Sequence, residues 1–288
     1  MTWCAGLPAP MAEEHAGPAV TRSQLASDLD ALGVRAGGIL MVHTRMSAIG
    51  WVVGGSETVV LALLDVLGPR GTLCAYASWE EHVYNASDWP PEHRDAYLAE
   101  PPAFDASTGE AARDHGRIPE RVRTWPGAAR SRHPEASVVA VGARAGWLTD
   151  THPPNDGYGA ESPFARLVEC GGQVLLLGAP LETTTLLHHA EAISGPARKR
   201  RVTFRVAMAE ADGVREATFT DIDTSAGAFA YEDLGLDDDS FAVIAREALA
   251  AGIGVRGRVG RAESHLFGAA ELTAFAVSWL EERFSGDG

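Results

Sequence analysis

Residues 38–77 read GILMVHTRMSAIGWVVGGSETVVLALLDVLGPRGTLCAYA, and this stretch decides the fold class. It begins and ends with short, continuous apolar runs, GILMVH at 38–43 and TLCAYA at 72–77, which are typical of strands buried on both faces. Between them, Ser56 opens a helix through SETVVLALLDVLG, which ends at the turn GPRG. This order of strand, helix and strand predicts a parallel sheet covered by helices.

The same alternation continues on both sides of this unit. Towards the N-terminus, Ser23 is the predicted cap of a helix whose leucines at 25, 29 and 32 share one face. Towards the C-terminus, residues 202–223 predict a hairpin around Asp212-Gly213, which adds antiparallel strands to the sheet. The predicted fold class is therefore α/β, with a mainly parallel, mixed sheet. The other strands are predicted at 136–142 and 173–179, and the other helices at 162–170, 183–194, 240–251 and 269–284.

Residues 79–128 interrupt this alternation. They are rich in proline, acidic and aromatic residues and show little periodicity. Aromatic residues such as Trp79, Trp89 and Phe104 would be wasted in a disordered spacer, so we expect a long substrate-binding excursion here instead of a linker. The first 21 residues, rich in Ala, Pro and Gly, are predicted to form a loose arm, and residues 22–288 a single domain.

The composition excludes several classes of protein. The 39 Asp and Glu residues outnumber the 24 Lys and Arg residues, and the net charge of −15 leaves no basic face to neutralise nucleic-acid phosphates. The three cysteines are far apart and suggest neither a disulfide framework nor a zinc site. Because the sequence has no apolar run of about 18 residues and no signal-like start, we expect a cytoplasmic protein without a membrane span.

The strongest candidate for chemistry is the motif HHAE at 188–191. Phosphate-loop (GxxxxGK[ST]) and nucleophile-elbow (GxSxG) patterns are both absent. On a helix, Glu191 lies on the same face as His188, whereas His189 points about 100° away. A helix start that favours the neutral imidazole and a carboxylate that steadies the protonated ring together make a histidine base. The spacing also permits an ordinary polar histidine, or a pair of metal ligands with no recognisable third ligand.

Two further segments could bind ligands. The segment 43–57 follows a predicted strand, and its glycines at 50, 54 and 55 allow close approach to a pyrophosphate or an amide chain. Glycines after a strand are equally typical of a plain turn. Asp221 and Asp223 stand at the end of a predicted strand, on one face, and fit either a cationic ligand or a solvated surface.

These residues carry a resemblance to a known family. The segments HTRMSAIGWVVGG, RTWPGAARSRHPEAS, ESPFARLVECGGQVLLLGAPLETTTLLHHAEAI and FTDID resemble the aminoglycoside 3-N-acetyltransferases, especially the actinomycete type. The similarity runs from about residue 22 to 284. It implies a three-layer α/β/α fold unlike that of the GNAT acetyltransferases. It also implies a resistance enzyme, a monomer or homodimer, that transfers acetyl from acetyl-CoA to the 3-amino group of cationic 2-deoxystreptamine aminoglycosides, without a metal.

The resemblance further implies roles for single residues. His188 matches the general base of a direct transfer, and Glu191 matches its carboxylate partner. The sequence departs from the pattern at Asn155, where several relatives have Asp, so Asp156 is the candidate substitute unless the dyad acts alone. The resemblance places His43, Thr44, Ser47, Ile49, Gly50, Gly54 and Gly55 at the acetyl-CoA site, and Trp79, Glu80, Asp156, Asp221 and Asp223 at the acceptor site.

Two other functions remain open at this point. An acetyltransferase of the same fold could modify a different amine, which a panel of acceptors with and without a free 3-amino group would detect. A binding protein could sequester cationic ligands without turnover. That function leaves the HHAE pairing unexplained.

Overall fold

The computed structural model describes residues 17–81, 89–195, 199–225 and 227–284. The predicted loose arm up to residue 16, and residues 82–88 of the excursion, lie outside these ranges. Within them, no helix is long and apolar enough to cross a membrane.

The described residues form strands and helices in alternation. The strands are β1 (Ile39–Thr44), β2 (Thr72–Tyr76), β3 (Ala103–Phe104), β4 (Ala129–Arg130), β5 (Val138–Gly142), β6 (Gln173–Leu177), β7 (Arg201–Glu210), β8 (Gly213–Ile222), β9 (Val255–Val259) and β10 (Ala262–Gly268). The α-helices are α1 (Arg22–Leu32), α2 (Met46–Ile49), α3 (Gly55–Leu67), α4 (Pro91–Ala99), α5 (Arg117–Arg123), α6 (Ala145–Thr149), α7 (Pro163–Glu169), α8 (Leu186–Ile193), α9 (Ser240–Ala250) and α10 (Ala269–Phe284). Short 3-10 helices cover Arg113–His115, Leu181–Thr183 and Tyr231–Leu234.

A seven-stranded mixed sheet lies at the centre, in the order β4-β5-β2-β1-β6-β10-β9. Its parallel part is the triplet β2-β1-β6, in which Thr44 is in register with Leu177. Antiparallel strands flank the triplet on both sides, with β5 beside β2 and β10 beside β6. The prediction of an α/β fold with a mixed sheet is confirmed, and the parallel strands are the three central ones.

Alternating side chains of the central strands build two apolar cores, one on each face of the sheet. Leu40 and Val42 of β1 belong to the core beneath α1, α3 and α5. Ile39 and Met41 point the other way and pack with residues of α7, α8, α9 and α10. Since both faces are covered, the strand is apolar throughout, as in other parallel sheets. Helices on both faces of the sheet give the predicted three layers.

The described chain packs against the core from just before α1. Val20 is buried and bridges to Val52. Thr21, and not the predicted Ser23, caps the helix, because the Thr21 side chain accepts a hydrogen bond from the backbone N–H of Gln24. The helix predicted from 183 begins only at Leu186, after a 3-10 turn.

The hairpin predicted at 202–223 forms, but the expectation that it extends the central sheet is wrong. Its strands β7 and β8 pair with β3 of the excursion in a separate three-stranded sheet. The hairpin signal is local and does not specify which sheet a hairpin joins. Here the choice is made by packing, because Trp79 and Phe104 of the excursion form a third core with Phe204 and Phe219.

Candidate active site

The carboxyl ends of the three parallel strands meet beside the start of α8, at the edge where α/β sheets bind ligands. A cleft of about 610 Å³ opens there, and His188, in the first turn of α8, lines it. Gly178 forms the turn after β6 with φ at +66°, and a Cβ at this position would lie 2.7 Å from the Cβ of Ala48. The strand ends supply Val42, His43 and Thr44 from β1, Tyr76 from β2, and Ala179 and Pro180 after β6.

His188 and Glu191 form the pair that their spacing predicts. Nδ1 of His188 lies 2.7 Å from Oε2 of Glu191, whose side chain is 1% exposed. A carboxylate only accepts hydrogen bonds, so the pairing assigns the proton of a neutral imidazole to Nδ1. Nε2 then carries the free lone pair, as a general base requires.

The second oxygen of Glu191 is held as well. The hydroxyl of Tyr231 donates a hydrogen bond to Oε1 of Glu191 over 2.7 Å. Burial, followed by the charge of Glu191, raises the pKa of Tyr231, so the phenol remains a donor. Tyr231 is 40 residues from Glu191 in sequence, and no local spacing pointed to it.

Aromatic rings fix the plane of the His188 imidazole. The ring centroids of Tyr158 and Phe241 lie 5.1 and 4.6 Å from that of His188. His189 points away, as predicted, and its Nδ1 lies 2.7 Å from the backbone carbonyl of Tyr158. His189 therefore fixes the backbone of Tyr158, whose ring contacts His188.

A second cavity, of about 470 Å³, adjoins the cleft and shares His188, Glu182, Thr224 and Phe241 with it. Among the described residues, no lysine or arginine lines this cavity. Its lining includes five carboxylates, those of Glu182, Glu191, Glu232, Asp238 and Asp239. We call it the acidic cavity. His188 thus lies where a cavity suited to cations meets the cleft at the strand ends.

The cleft is lined by charges of both signs, and its carboxylates are Asp114 and Glu182. Arg45 and Arg117 both line it, and neither guanidinium group has a hydrogen-bond or ion-pair partner among the described residues. Guanidinium groups bind phosphates well, so the cleft suits a ligand with anionic groups.

Polar atoms at the end of β1 are left without partners in this cleft. Nε2 of His43 and Oγ1 of Thr44 are buried and make no hydrogen bond among the described residues. Burial, and secondarily the charge of His115, lowers the pKa of His43 to about 3, so this imidazole is neutral at physiological pH. Unpaired buried polar groups are costly, and a ligand that bonds to them would relieve that cost.

Of the other residues predicted to bind acetyl-CoA, only one lines the cleft. Ser47 lines the cleft with His43 and Thr44, but Ile49 is fully buried in the core beneath α1 and offers no surface to a ligand. Gly50 adjoins the side chain of Arg261. Gly54 caps α3, whose first residue is Gly55, and neither glycine lines the cleft.

The residues predicted to bind the acceptor line neither cavity. Trp79 is buried in the third core, and Glu80 accepts a hydrogen bond from the backbone N–H of Arg113. Asp156 lies in the turn that leads to Glu161, whose N–H is 3.4 Å from Oδ2 of Asp156. Alternation along a strand suggested a common face for Asp221 and Asp223, but β8 ends at Ile222, so Asp223 lies outside the strand. Asp221 is buried, and Asp223 accepts hydrogen bonds from Ser225.

Sequence reasoning missed Tyr231, Arg45, Arg117 and Glu182, which surround His188 or line its cavities. The only available signal was position, because Arg45 follows β1 and Glu182 precedes α8. Among the described residues, no group of three or more His, Cys, Asp or Glu side chains could hold a metal ion.

The chain is similar to known proteins over most of its length. Residues 41–281 match the sequence model of a family described as "Aminoglycoside 3-N-acetyltransferase". Aminoglycoside N(3)-acetyltransferase VIII of Streptomyces fradiae is 50% identical over 274 residues, which cover 95% of this chain and 96% of that protein.

Solved structures are similar over nearly the whole chain. AAC-IIIb in a binary complex with CoASH superposes with a TM-score of 0.86 at 44% identity, over 94% of this chain and 100% of that one. AAC-VIa bound to sisomicin gives a TM-score of 0.85 at 35% identity, over 93% and 100% of the two chains.

Proposed function

Because the chain belongs to the aminoglycoside 3-N-acetyltransferase family, an acyltransferase family without the GNAT fold, we propose that it acetylates the 3-amino group of 2-deoxystreptamine aminoglycosides from acetyl-CoA. One observation carries the proposal. His188 lies at the junction of a cavity rich in carboxylates and a cleft with two unpaired arginines. One side suits a polycationic acceptor and the other an anionic donor, and the base stands between them.

His188 acts as the general base. Its Nε2 accepts the proton of the attacking amine, while Glu191 stabilises the imidazolium that results through Nδ1. Removing a proton from an ammonium group costs about 1.4 kcal/mol for each pKa unit above ambient pH. Holding both substrates in line offsets up to about 7–11 kcal/mol in favourable cases.

The transfer is direct. Among the described residues, no serine or cysteine is hydrogen-bonded to His188, whose Nδ1 partner is Glu191. An acyl-enzyme would need such an activated nucleophile. The acceptor amine therefore forms its new bond to the acetyl carbon itself, and the thiolate of CoA leaves.

The residues of the cleft fit acetyl-CoA, which supplies the acetyl thioester when bound. The unpartnered Nε2 of His43 and Oγ1 of Thr44 suit the amide and carbonyl groups of an acylated pantetheine chain. Arg45 and Arg117 suit its phosphates. The hydroxyl of Thr44 is the available donor for an oxyanion that develops in the cleft. The solved structure of AAC-IIIb with CoASH supports this choice of cosubstrate.

The acidic cavity fits the acceptor. Several of its carboxylates already have protein partners: Glu232 pairs with Arg200, Asp238 pairs with Arg246, and Asp239 caps α9. Glu182 has no hydrogen-bond or ion-pair partner among the described residues and lines both cavities. It is the carboxylate best placed to bind an ammonium group of an acceptor beside His188.

A turnover assay tests the function. Purified protein is mixed with acetyl-CoA and a panel of aminoglycosides with and without a free 3-amino group, and thiol release is followed. We expect release only with acceptors that carry this amine, a product acetylated at position 3 by NMR, and a higher inhibitory concentration for a susceptible host that expresses the protein. Turnover with other amines alone would indicate a different acceptor. Tight binding without thiol release would indicate a sequestering protein.

A further inference from the structure

We propose that Tyr231 is a positioning residue that sets the basicity of His188 through Glu191, an inference that rests on the proposed function. The two oxygens of the buried Glu191 carboxylate have different partners. Oε2 lies 2.7 Å from Nδ1 of His188, and Oε1 accepts the hydroxyl of Tyr231 over 2.7 Å. The carboxylate is thus held at both ends and cannot rotate without breaking one bond.

Two aromatic rings hold the side chain of Tyr231 in place. Its ring packs edge-on against the rings of Phe229 and Phe284, at centroid distances of 6.2 and 5.5 Å. The phenol therefore reaches Glu191 from a fixed position. Tyr231 also lines the acidic cavity.

The hydroxyl restrains how strongly Glu191 stabilises the imidazolium. A carboxylate that accepts two hydrogen bonds shares its charge between two donors. Without the phenol, Glu191 holds the protonated ring of His188 more firmly. At a given pH, a larger share of the enzyme then carries a protonated His188, and that form cannot accept a proton from the amine.

Other charged groups face this chain of three residues. Lys199 lies within the electrostatic reach of Glu191, and Asp239, before α9, lies within that of Tyr231. Glu182 and Glu232 line the acidic cavity around them. Tyr158 contacts the His188 ring but has its own hydroxyl 3.1 Å from that of Tyr76. A Tyr231→Phe substitution leaves all of these in place and removes one O–H.

The pH dependence of Tyr231→Phe tests the inference. We expect the acid limb of kcat/KM to move upward by about half to one pH unit, the shift that loss of one hydrogen bond of ordinary strength produces. At pH values on the acid limb, kcat should fall about three- to tenfold, the factor that such a shift produces there, while both KM values stay within about twofold. An NMR titration of the His188 ring in the free protein should show the same upward shift and does not depend on turnover.

Two controls separate this role from others. Thr149→Val also removes a buried hydroxyl hydrogen bond, to the carbonyl of Ala145 in α6, and should leave the profile unchanged. In a Glu191→Gln background, Tyr231→Phe should cause no further shift, because its effect passes through the carboxylate. An unshifted His188 titration in Tyr231→Phe, or an equal shift in the Glu191→Gln background, would overturn the inference. A wild-type protein without acetyl transfer would instead refute the proposed function.

Discussion

Nε2 of His133 and Oδ2 of Asp221 lie 3.8 Å apart, and neither atom makes a hydrogen bond among the described residues. Burial, and then the charge of His152, lowers the pKa of His133, while burial raises the pKa of Asp221 to about 6. Both shifts favour the uncharged forms. This contact between β8 and the segment before β5 is therefore a buried polar pair and not a stabilising salt bridge.

The first prediction concerns the effect of pH on stability at Asp221. Since its pKa rises from 3.8 to about 6 on folding, the folded protein binds this proton more tightly than the unfolded chain. The stability that this group contributes is complete below the unfolded value and is lost as the pH rises through the folded one. Asp221→Asn should therefore gain free energy of unfolding relative to wild type between pH 4 and pH 8, by roughly 3 kcal/mol at most. Urea denaturation of both proteins at the two pH values measures this difference, and a difference independent of pH would contradict the assignment.

The second prediction concerns the base. His188→Ala should lower kcat by about 10² to 10⁴, the usual contribution of a positioned acid or base, measured as thiol release from acetyl-CoA. His93→Ala, on the exposed surface of α4, is the matched control and should keep wild-type turnover. Undiminished turnover in His188→Ala, with the protein folded, would exclude the histidine as the base.

Local signals in the sequence predicted most of the fold. Short apolar runs such as 38–43 predicted strands that are covered on both faces. HHAE predicted the contact of His188 with Glu191, because residues three positions apart on a helix lie on the same face. The hairpin at 202–223 shows where this reasoning stops. Its own pairing was readable, whereas its partner β3 was chosen by aromatic packing across about a hundred residues of chain.

Only those contacts of the candidate site that join residues close together in sequence could be predicted. Tyr231 reaches Glu191 from a distant 3-10 helix, and Arg117 enters the cleft from the excursion, so no spacing relates them to His188. Asp221 lies outside both cavities for a reason that strand spacing does not show. Strand parity placed it on a face, but docking of β8 against His133 and Gly157 buried that face away from the cavities.

The third prediction concerns the arginines of the cleft. Arg117→Ala should raise the KM for acetyl-CoA about tenfold and leave the acceptor KM unchanged, because a charge-assisted hydrogen bond to phosphate is lost. Higher ionic strength should weaken acetyl-CoA binding in wild type more than in the variant. Arg70→Ala, at an exposed turn before β2, is the control and should bind acetyl-CoA normally. An effect on the acceptor KM alone would place the donor outside this cleft.

The fourth prediction concerns Glu182, the unpaired carboxylate shared by the two cavities. Glu182→Gln removes one negative charge with little change in shape. We expect the acceptor KM to rise about three- to tenfold, since a partly exposed ion pair contributes on the order of 1 kcal/mol. The increase should be largest for acceptors with several ammonium groups and should shrink at high salt. Glu169→Gln, on the exposed end of α7, carries the same change of charge away from the site and should leave both KM values at their wild-type level. A rise in the acetyl-CoA KM without a change in the acceptor KM would instead assign Glu182 to the donor, because its side chain borders that cleft as well.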